Sequence, residues 1–420
     1  MKSQTSFREF LRIFDIVRLS RLALGLALAF SLSIAWPVTP AHAASLTVNT
    51  LEDNNIDGDG LCTLREAIYA ANFDANFHDC IGVGVFGTDT ITFSLSGTIV
   101  LGSTLPVIAD AEGLTVDGSG HKLAISGNDS VRVLNVVSNS LLTLHNLVVT
   151  RGYETSGLGG GITNSGTMTI TNSTISNNSS PHGGGGIRNY EGATLTISNT
   201  TICTNTVAAT SGSHGGGGIF TTGTLILNNS TISGNTVSTS GGSPSAAYGG
   251  GIYLGGGTLT LNNTSITNNS ASGSGGSSGY GGGIYAGENT TFRNTIIAGN
   301  RATYFADCYG TLNSQGYNLI QIPSCNITGD LTTNITGLSP NLAPLADNGG
   351  PTKTHALLSG SPAIDAGNPA TPGSGGNACL LTDQTGFIRP VDGDMDGDAI
   401  CDMGAYELPH RHFLPIVRKD

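Results

Sequence analysis

Hydrophobic and polar residues alternate in short segments along the middle of the chain, as in Met168-Thr169-Ile170 and Leu259-Thr260-Leu261. A period of two predicts β-strands that bury one face. Each segment follows a run of glycines that ends in an isoleucine. This pattern occurs five times, at Ile162, Ile187, Ile219, Ile252 and Ile284. Such a recurrence predicts a repeat architecture in which each unit is one coil.

Alignment of the repeats places asparagine in two columns six residues apart, except that Gly152 takes the second position after Asn146 in the first coil. The first column contains Asn146, Asn172, Asn199, Asn229, Asn263 and Asn294, and the second contains Asn178, Asn205, Asn235, Asn269 and Asn300. One coil cannot bury its own apolar face, so stacked coils must bury it together. Stacked asparagines can form amide ladders, and asparagine also tolerates the left-handed conformation of sharp bends. We therefore predict an all-β fold, a right-handed parallel β-helix.

Two alternatives to a solenoid fit the repeats less well. A flexible linker of glycine and serine would not keep a fixed offset between two asparagine columns. A β-propeller or β-sandwich would require blades of about 40 residues or recurrent Asn-Gly hairpin turns, and neither pattern recurs. The solenoid is therefore the favoured architecture.

The repeats vary in length mainly between the second asparagine and the next isoleucine, which predicts a row of loops along one edge, often a binding face. The column before the glycines contains Leu158, His182, His214, Tyr248 and Tyr280, and the column after the isoleucines contains Thr163, Arg188, Phe220, Tyr253 and Tyr285. A residue that follows an inward-facing isoleucine points outward. Phe220, Tyr248, Tyr253, Tyr280 and Tyr285 therefore form a candidate surface for sugars or proteins. The alternative is that the stacked rings only stabilise the solenoid.

The first 43 residues have the pattern of a secretory signal peptide. Basic residues up to Arg21 precede an uncharged stretch of 15 residues, 22–36, and Ala41-His42-Ala43 fits a small-x-small cleavage site. A membrane anchor is the alternative, but the stretch is shorter than the ~20 residues that span a bilayer. We expect cleavage after Ala43, an extracellular or cell-surface location, and no transmembrane span in the remaining chain.

Composition and cysteine usage agree with export. The 420 residues include 62 glycines, only 11% are charged, and the formal net charge of −12 disfavours nucleic acid as a partner. In an oxidising compartment, proximity favours disulfides Cys62–Cys80, Cys308–Cys325 and Cys379–Cys401, with Cys203 left over, although sequence leaves other connectivities open. A zinc site is disfavoured because no C-x-x-C motif is present.

The middle of the chain is poor in catalytic residue types. From Ser130 to Ala306 there is no aspartate and no lysine, and the few glutamates lie in separate coils. Polysaccharide-cleaving β-helix enzymes need paired carboxylates or an acidic metal site. We therefore predict no catalytic residues. Ice or crystal-surface binding by threonines such as Thr169 is also disfavoured, because Ile226 and Asn228 interrupt the array.

Three segments resemble known families. Residues 62–67, CTLREA, resemble the CSLREA motif near the mature N-terminus of secreted β-helix proteins, with Thr63 in place of serine. The sequence from Leu64 can open an amphipathic helix that covers the exposed end of the solenoid. The glycine-rich repeats are similar to those of chlamydial-type polymorphic outer-membrane proteins.

Residues 348–407 resemble the choice-of-anchor Q domain through NGGPTKTHALLSGSPAIDAGN, TDQTGFIRP and CDMGAYE, although Thr385 departs from the expected pattern. The resemblances imply an extracytoplasmic, often adhesive β-helix and carry over no catalytic residues. They divide the chain into a signal peptide (1–43), an N-terminal cap with the first strands (44–100), repeats (101–335), a C-terminal capping or anchor region (336–407) and a tail (408–420). The tail is either a short sorting tag or a frayed end.

One acidic segment has metal-binding spacing. Asp392, Asp394, Asp396 and Asp398 follow the first half of a calcium loop, but Met403 stands where the twelfth-position glutamate would be. The alternative is an acidic turn without metal. The spacing therefore predicts a structural calcium ion, and no cofactor is expected to be required for function.

These observations predict a non-enzymatic secreted or cell-surface β-helix protein. Its function would be adhesion or ligand contact through the loop edge and the aromatic column, with a carbohydrate or a protein as partner. The alternative is a carbohydrate-active β-helix enzyme, either a polysaccharide lyase or a glycoside hydrolase.

Overall fold

A computed structural model describes residues 43–155, 157–240 and 245–409. These residues form a parallel β-helix, which confirms the predicted fold class. Every strand pair within the five sheets is parallel, and each strand pairs with the equivalent strands of the neighbouring coils. The predicted signal peptide lies outside the described residues apart from Ala43, and so do residues 410–420 of the tail. No helix of the described segments is long and apolar enough to cross a membrane.

Two long sheets form two sides of the helix. Sheet 1 contains β1 (Ala43–Val48), β2 (Val85–Phe93), β4 (Leu114–Asp117), β7 (Leu141–His145), β10 (Thr167–Thr171), β14 (Thr194–Ser198), β19 (Thr224–Asn228), β24 (Thr258–Asn262), β29 (Thr290–Arg293), β33 (Thr311–Gln315) and β35 (Asn326–Asp330). Sheet 2 contains β3 (Gly97–Val100), β5 (Leu123–Ser126), β8 (Val148–Thr150), β11 (Thr174–Ser176), β15 (Thr201–Cys203), β20 (Thr231–Ser233), β25 (Ser265–Thr267), β30 (Ile296–Ala298), β34 (Leu319–Ile320) and β36 (Ile335–Thr336).

Three shorter sheets complete the coils. Sheet 3 contains β12 (Ser179–Ser180), β16 (Thr206–Ala209), β21 (Thr236–Thr239), β26 (Ser270–Gly273) and β31 (Arg301–Ala302). Sheet 4 contains β6 (Leu134–Val136), β9 (Ile162–Asn164), β13 (Ile187–Asn189), β18 (Ile219–Thr221), β23 (Ile252–Leu254), β28 (Ile284–Tyr285) and β32 (Cys308–Tyr309). Sheet 5 contains β17 (His214–Gly215), β22 (Ala246–Tyr248) and β27 (Ser278–Tyr280), which lie within the variable loops.

The core is one continuous column of aliphatic side chains. The alternating residues of each sheet 1 strand point inward, and equivalent residues stack in register, as Met168 does on Leu195 and Leu195 on Leu225. These side chains are fully buried and belong to a cluster that extends from Leu46 to Ile320. Burial of one such side chain contributes roughly 1.5–3 kcal/mol, so stability comes from stacking rather than from any single coil.

The second asparagine column forms a buried amide ladder. The backbone amide and Nδ2 of Asn205 both donate to Asn235 Oδ1 at 3.0 Å, and Asn235 donates to Asn269 in the same way. The ladder runs from Asn178 to Asn300 and ends at Asp307, whose Oδ1 accepts both donors of Asn300. The predicted ladder is therefore present, and a carboxylate terminates it.

The glycine runs fit against this ladder. In the run before Ile252, Gly249 has a left-handed φ of +56°. A Cβ atom on Gly250 would lie 2.4 Å from the carbonyl oxygen of Ser270, and one on Gly251 would lie 3.1 Å from Asn269 Cγ. The three glycines are thus required for the bend, for the approach of the next coil and for room beside the ladder amide.

The first asparagine column has a different role. Asn146, Asn172, Asn199, Asn229, Asn263 and Asn294 all have positive φ angles, between 43° and 53°. They turn the chain from sheet 1 into sheet 2, where an asparagine adopts the left-handed conformation more readily than most residues. Of the two roles predicted for asparagine, the second column therefore forms the amide ladder and the first column forms the left-handed bends.

A short helix covers the first coil, as predicted. Helix α1 (Leu64–Asn72) begins with a capping box in which Thr63 and Glu66 bond reciprocally. Its buried side chains, including Leu64 and Ile68, join the same apolar cluster as Leu46 of β1. The helix therefore removes an uncovered apolar end, which would otherwise be a site for association.

The C-terminal region lies along the outer face of sheet 2. Thr231 Oγ1 donates to Gln384 Oε1 at 2.6 Å, and Ser233 Oγ lies 2.8 Å from His355 Nε2. Ile364 packs in an apolar cluster with Ile296 of β30. Long-range side-chain contacts therefore fasten residues 340–408 to several coils at once.

A buried ionic network organises this region. Arg389 Nη1 donates to Glu407 Oε2 at 2.6 Å and to the carbonyl oxygen of Asp402 at 2.8 Å, and both side chains of the ion pair are fully buried. Burial raises the pKa of Asp402 well above its usual value. Burial also raises the pKa of Glu407, although the Arg389 charge opposes that shift. One cation thus balances two buried carboxyl groups.

The three disulfides are those expected from sequence proximity. Cys62 pairs with Cys80, Cys308 with Cys325 and Cys379 with Cys401. Cys203 is free and buried, and burial raises the pKa of its thiol. The disulfides therefore lie at the N-terminal cap, in the last coils and in the C-terminal region.

Candidate functional site

A column of aromatic side chains follows sheet 4. Phe220, Tyr253, Tyr285 and Tyr309 occupy equivalent positions in four consecutive coils. Each follows an inward-facing residue, so each side chain points outward, as the alternation along a strand requires. All four side chains are half-buried, because each ring packs against its neighbours while part of it meets solvent.

A second column lies beside it, on sheet 5. Tyr248 pairs with Tyr280, which forms a β-bridge with Tyr304. The sequence alignment placed His214 in this column, and the structure corrects that assignment because His214 pairs with Ala247 and Gly215 pairs with Tyr248. A Cβ atom at Gly215 would lie 2.4 Å from Tyr253 Cδ1, so the missing side chain makes room for the tyrosine ring.

The two columns merge into one layer of rings, which we call the aromatic surface (Phe220, Tyr248, Tyr253, Tyr280, Tyr285, Tyr304, Phe305 and Tyr309). Ring centroids along the first column are 4.6, 5.3 and 4.5 Å apart. Tyr248 bridges the columns, with its centroid 4.7 Å from that of Tyr285. Such ring pairs contribute roughly 0.5–1.5 kcal/mol beyond area burial, so the layer is both stabilised and positioned by its own contacts.

Sequence comparison missed three members of the aromatic surface, which are Tyr304, Phe305 and Tyr309. The repeat signature required an isoleucine after the glycines, but Cys308 occupies that inward position in the last full coil and pairs with Ile284. Tyr304 and Phe305 are 50% and 39% exposed, the most accessible rings of the surface. A repeat signature that also accepted cysteine at the inward position would have included Cys308 and Tyr309 in the column.

An arginine ends the aromatic surface on its N-terminal side. Arg188 precedes Phe220 in the column, and its guanidinium lies 3.7 Å from the centre of that ring. The side chain is only 6% exposed, and burial lowers its pKa. In earlier coils the same column continues with Thr163 and Asn135, so the aromatic character begins at Phe220.

A groove opens within the aromatic surface. Its volume is about 350 Å³, and its lining includes Tyr248, Tyr280, Tyr285, Tyr309, Ser245 and Ser278. None of the described residues that line this groove is acidic or basic. The groove therefore presents phenol hydroxyls, serine hydroxyls and ring edges, without a fixed charge.

Burial shifts the pKa of two tyrosines of this surface, Tyr253 and Tyr285. Burial raises the pKa of Tyr285 to about 12, and the neighbouring Tyr309 adds to the shift. Burial likewise raises the pKa of Tyr253, with a further contribution from Tyr248. The phenol groups of these two residues therefore act as hydrogen-bonding groups rather than as charges.

A larger depression of about 650 Å³ lies elsewhere, where the C-terminal region stands away from the first strands of sheet 2. Its lining includes Thr98, His121, Lys122, Asn146 and Asp347. It has no aromatic platform, and its cationic and acidic side chains come from opposite walls. Size alone does not make it the stronger candidate, since recognition requires convergent groups.

The predicted calcium segment contributes two of its four aspartates to an acidic group. Carboxylate oxygens of Asp365, Asp392 and Asp394 lie within 4.8 Å of one another. Asp396 and Asp398 are outside this group, although the Asp398 amide donates to Asp396 Oδ1 at 2.9 Å. Asp365, which the spacing argument missed, has a left-handed φ of 50°, and burial raises its pKa.

Comparisons with known proteins give no match: no protein-family model, no curated protein and no solved structure is similar to this chain.

Proposed function

We propose that the protein is a non-enzymatic secreted or cell-surface β-helix whose function is to bind a partner through the aromatic surface. The observation that carries this proposal is the continuous layer of eight rings across the successive coils from Phe220 to Tyr309. Rings with one face against the protein and one edge in solvent are typical contacts for carbohydrates and for protein partners.

The chemistry of the groove supports binding rather than catalysis. Hydrolysis or elimination in a polysaccharide requires a general acid and a general base on either side of the reacting bond. The described lining of the groove contains hydroxyl, aromatic and small residues without a carboxylate or a cation, and burial raises the pKa of Tyr285 to about 12. Asp307 is a carboxylate near this surface among the described residues. It is fully buried as the last acceptor of the asparagine ladder, so it does not face the groove as an acid or a base.

The placement outside the cytosol rests on a separate observation. Three disulfides and a signal-like N-terminus are consistent with an oxidising compartment. The resemblances to CSLREA and choice-of-anchor Q proteins imply the same location and a surface-display or adhesive role.

The test is a combined binding and turnover assay on residues 44–420. The purified protein is applied to immobilised polysaccharides and to intact cell surfaces, and soluble reducing ends are measured in parallel. Binding without release of products is expected, with about fivefold to tenfold weaker retention of Tyr285→Ala. Retention of wild type and variant alike, or product release that Tyr285→Ala abolishes, would contradict the proposal.

We further propose that Asp365, Asp392 and Asp394 hold a structural calcium ion in the C-terminal region. Asp392 Oδ1 is buried and accepts no hydrogen bond from the described residues, and carboxylates are the ligands that calcium prefers. Calcium is expected to raise the melting temperature and EDTA to reverse the effect. Asp392→Asn should abolish the response, whereas the matched Asp398→Asn should retain it. An unchanged response in Asp392→Asn would contradict this site.

A further inference from the structure

We infer that the partner of the aromatic surface is an uncharged, linear glycan chain that lies parallel to the helix axis. The inference rests on the proposed binding function and specifies its ligand. It depends on the direction of the ring columns, on the absence of charge in the groove, and on the distribution of hydroxyl groups.

The ring columns fix the direction of the chain. Tyr253, Tyr285 and Tyr309 follow one another in register, so the column runs across the coils and along the helix axis. Successive coils in a parallel sheet are ~4.8 Å apart, a repeat comparable to the length of one hexose unit in an extended polymer. A linear glycan on this path therefore places about one sugar ring on each coil.

The absence of fixed charge selects an uncharged polymer. The described residues that line the groove include no carboxylate and no cation, and burial raises the pKa of Tyr285 in the groove to about 12 and that of Tyr253 beside it. Arg188 lies behind the Phe220 ring, where only 6% of the residue is exposed, so it does not offer its charge to a ligand. A uronic acid or sulfated chain would lose hydration at each anionic group without gaining an ion pair.

The hydroxyl groups supply the polar half of the recognition. Tyr248 and Tyr280 line the groove together with Ser245 and Ser278. Phenol and serine hydroxyls both donate and accept, which suits the hydroxyls of a neutral sugar. Hydroxyl groups and ring edges along the groove therefore face the chain and match the hydroxyl-rich edges of pyranose units.

The ends of the aromatic surface limit the length of chain that it recognises. The column begins at Phe220, because the preceding coils present Arg188 and Thr163, and it ends at Tyr309 with the last strand of sheet 4. Four coils carry a ring in this column. Affinity should therefore increase with chain length up to about four sugar units and then level off.

The experiment is calorimetric titration with matched oligosaccharide series of two to six units. Neutral probes are β-1,4-linked gluco-, xylo- and manno-oligosaccharides, and the acidic probe is oligogalacturonate. At least one neutral series should bind with the length dependence given above, and the acidic series should bind at least tenfold more weakly. Tyr285→Ala and the exposed Tyr304→Ala should each weaken binding about fivefold to tenfold.

Two variants that should not disturb the fold distinguish the loss of a ligand contact from structural damage. Tyr280→Phe retains the ring and loses only the hydroxyl, so a loss of a few-fold in affinity with an unchanged melting temperature is expected. Phe387→Ala removes a ring that is 45% exposed on the C-terminal region and should leave binding unchanged. Unaltered affinity in both Tyr304→Ala and Tyr280→Phe would overturn the inference.

The outcomes distinguish this inference from the function on which it rests. Preference for oligogalacturonate, or no gain in affinity beyond two units, would refute the neutral axial chain while a binding surface remained. If no glycan bound but the protein bound a protein or a cell surface in a Tyr285-dependent manner, the neutral axial chain would again be refuted and the binding surface would remain. If the protein bound neither a glycan nor a surface, both the glycan inference and the proposed binding function would be overturned.

Discussion

At the residue scale, the two asparagines of each coil differ in what their side chains must do. Asn235 has no exposed surface, accepts two hydrogen bonds from Asn205, and donates to Asn269 and to the carbonyl oxygen of Ile202. Asn199 is partly exposed and has a φ of 52°. The Asn235 side chain supplies buried hydrogen bonds, whereas the Asn199 side chain mainly permits a backbone bend.

Substitution should separate these two roles. Asn235→Gly leaves several buried donors and acceptors without partners, each at a cost of ~1–3 kcal/mol, and should lower the unfolding free energy by about 3–5 kcal/mol. Asn199→Gly keeps the left-handed bend and should change stability by less than about 1 kcal/mol. Urea denaturation measures both. Equal losses in the two variants would show that the ladder is not the source of the asparagine requirement.

Asp89 provides a pH-dependent prediction. Burial, reinforced by the charge of Asp110, raises the pKa of Asp89 to about 6, although the Gly87 amide opposes the shift. Because the folded state binds the proton more tightly than the unfolded state, the stabilisation is complete below pH ~4 and is lost as pH rises through about 6. Asp89→Asn, which resembles the protonated acid, should therefore be more stable than wild type at pH 7 and similar at pH 4.

Denaturant midpoints of Asp89→Asn and wild type across this pH range test the assignment. The other carboxyl groups are shared by both proteins, so the difference between the two curves isolates Asp89. A difference that grew toward acid pH would contradict a raised pKa.

At the element scale, local pattern predicted the strands, the helix and the disulfides, but not how the C-terminal region packs. The fixed positions of Asn178 and Asn205 and the alternation in each coil are short-range signals. The contact between Thr231 and Gln384 joins residues 153 positions apart and involves polar side chains without any periodicity. The last aromatic coil was also not predicted, because Cys308 replaces the isoleucine of the repeat signature. An inward position accepts any small apolar side chain, so the signature was too narrow.

The buried pair of Arg389 and Glu407 should control whether the C-terminal region stays folded on the helix. Arg389→Leu leaves the carboxyl groups of Glu407 and Asp402 buried without their cation, which typically costs 3–5 kcal/mol. Limited proteolysis should then cleave within residues 340–407 while the coils remain resistant. The effect should lessen in acid, because protonation neutralises both carboxyl groups and removes their uncompensated charge.

Phe387→Ala is the matched variant for this comparison, since Phe387 lies in the same segment but is 45% exposed. It should remain as resistant to proteolysis as wild type. Cleavage of the coils and of the C-terminal region at equal rates in Arg389→Leu would contradict a locally organised unit.

At the scale of the whole molecule, the covalent and non-covalent constraints occupy different parts of the solenoid. The disulfides close loops of 17 to 22 residues at the N-terminal cap, in the last coils and in the C-terminal region. The coils between Asn178 and Asn300 contain no disulfide among their described residues and depend on stacking, on the asparagine ladder and on contacts with the C-terminal region. In a solenoid each coil contacts only its neighbours, so loss of an end does not require loss of the middle.

Reduction should therefore loosen the molecule from its ends. Each disulfide of this loop size stabilises its segment by roughly 3 kcal/mol, so reduction should speed hydrogen exchange first around α1 and β32–β34. The amides of sheets 1 and 2 between Asn178 and Asn300 should keep their protection at the same reductant concentration. Exchange measured by mass spectrometry on reduced and oxidised protein resolves these segments. Early loss of protection in the central coils, before the ends, would mean that the disulfides stabilise the whole stack and that the ladder cannot hold the middle alone.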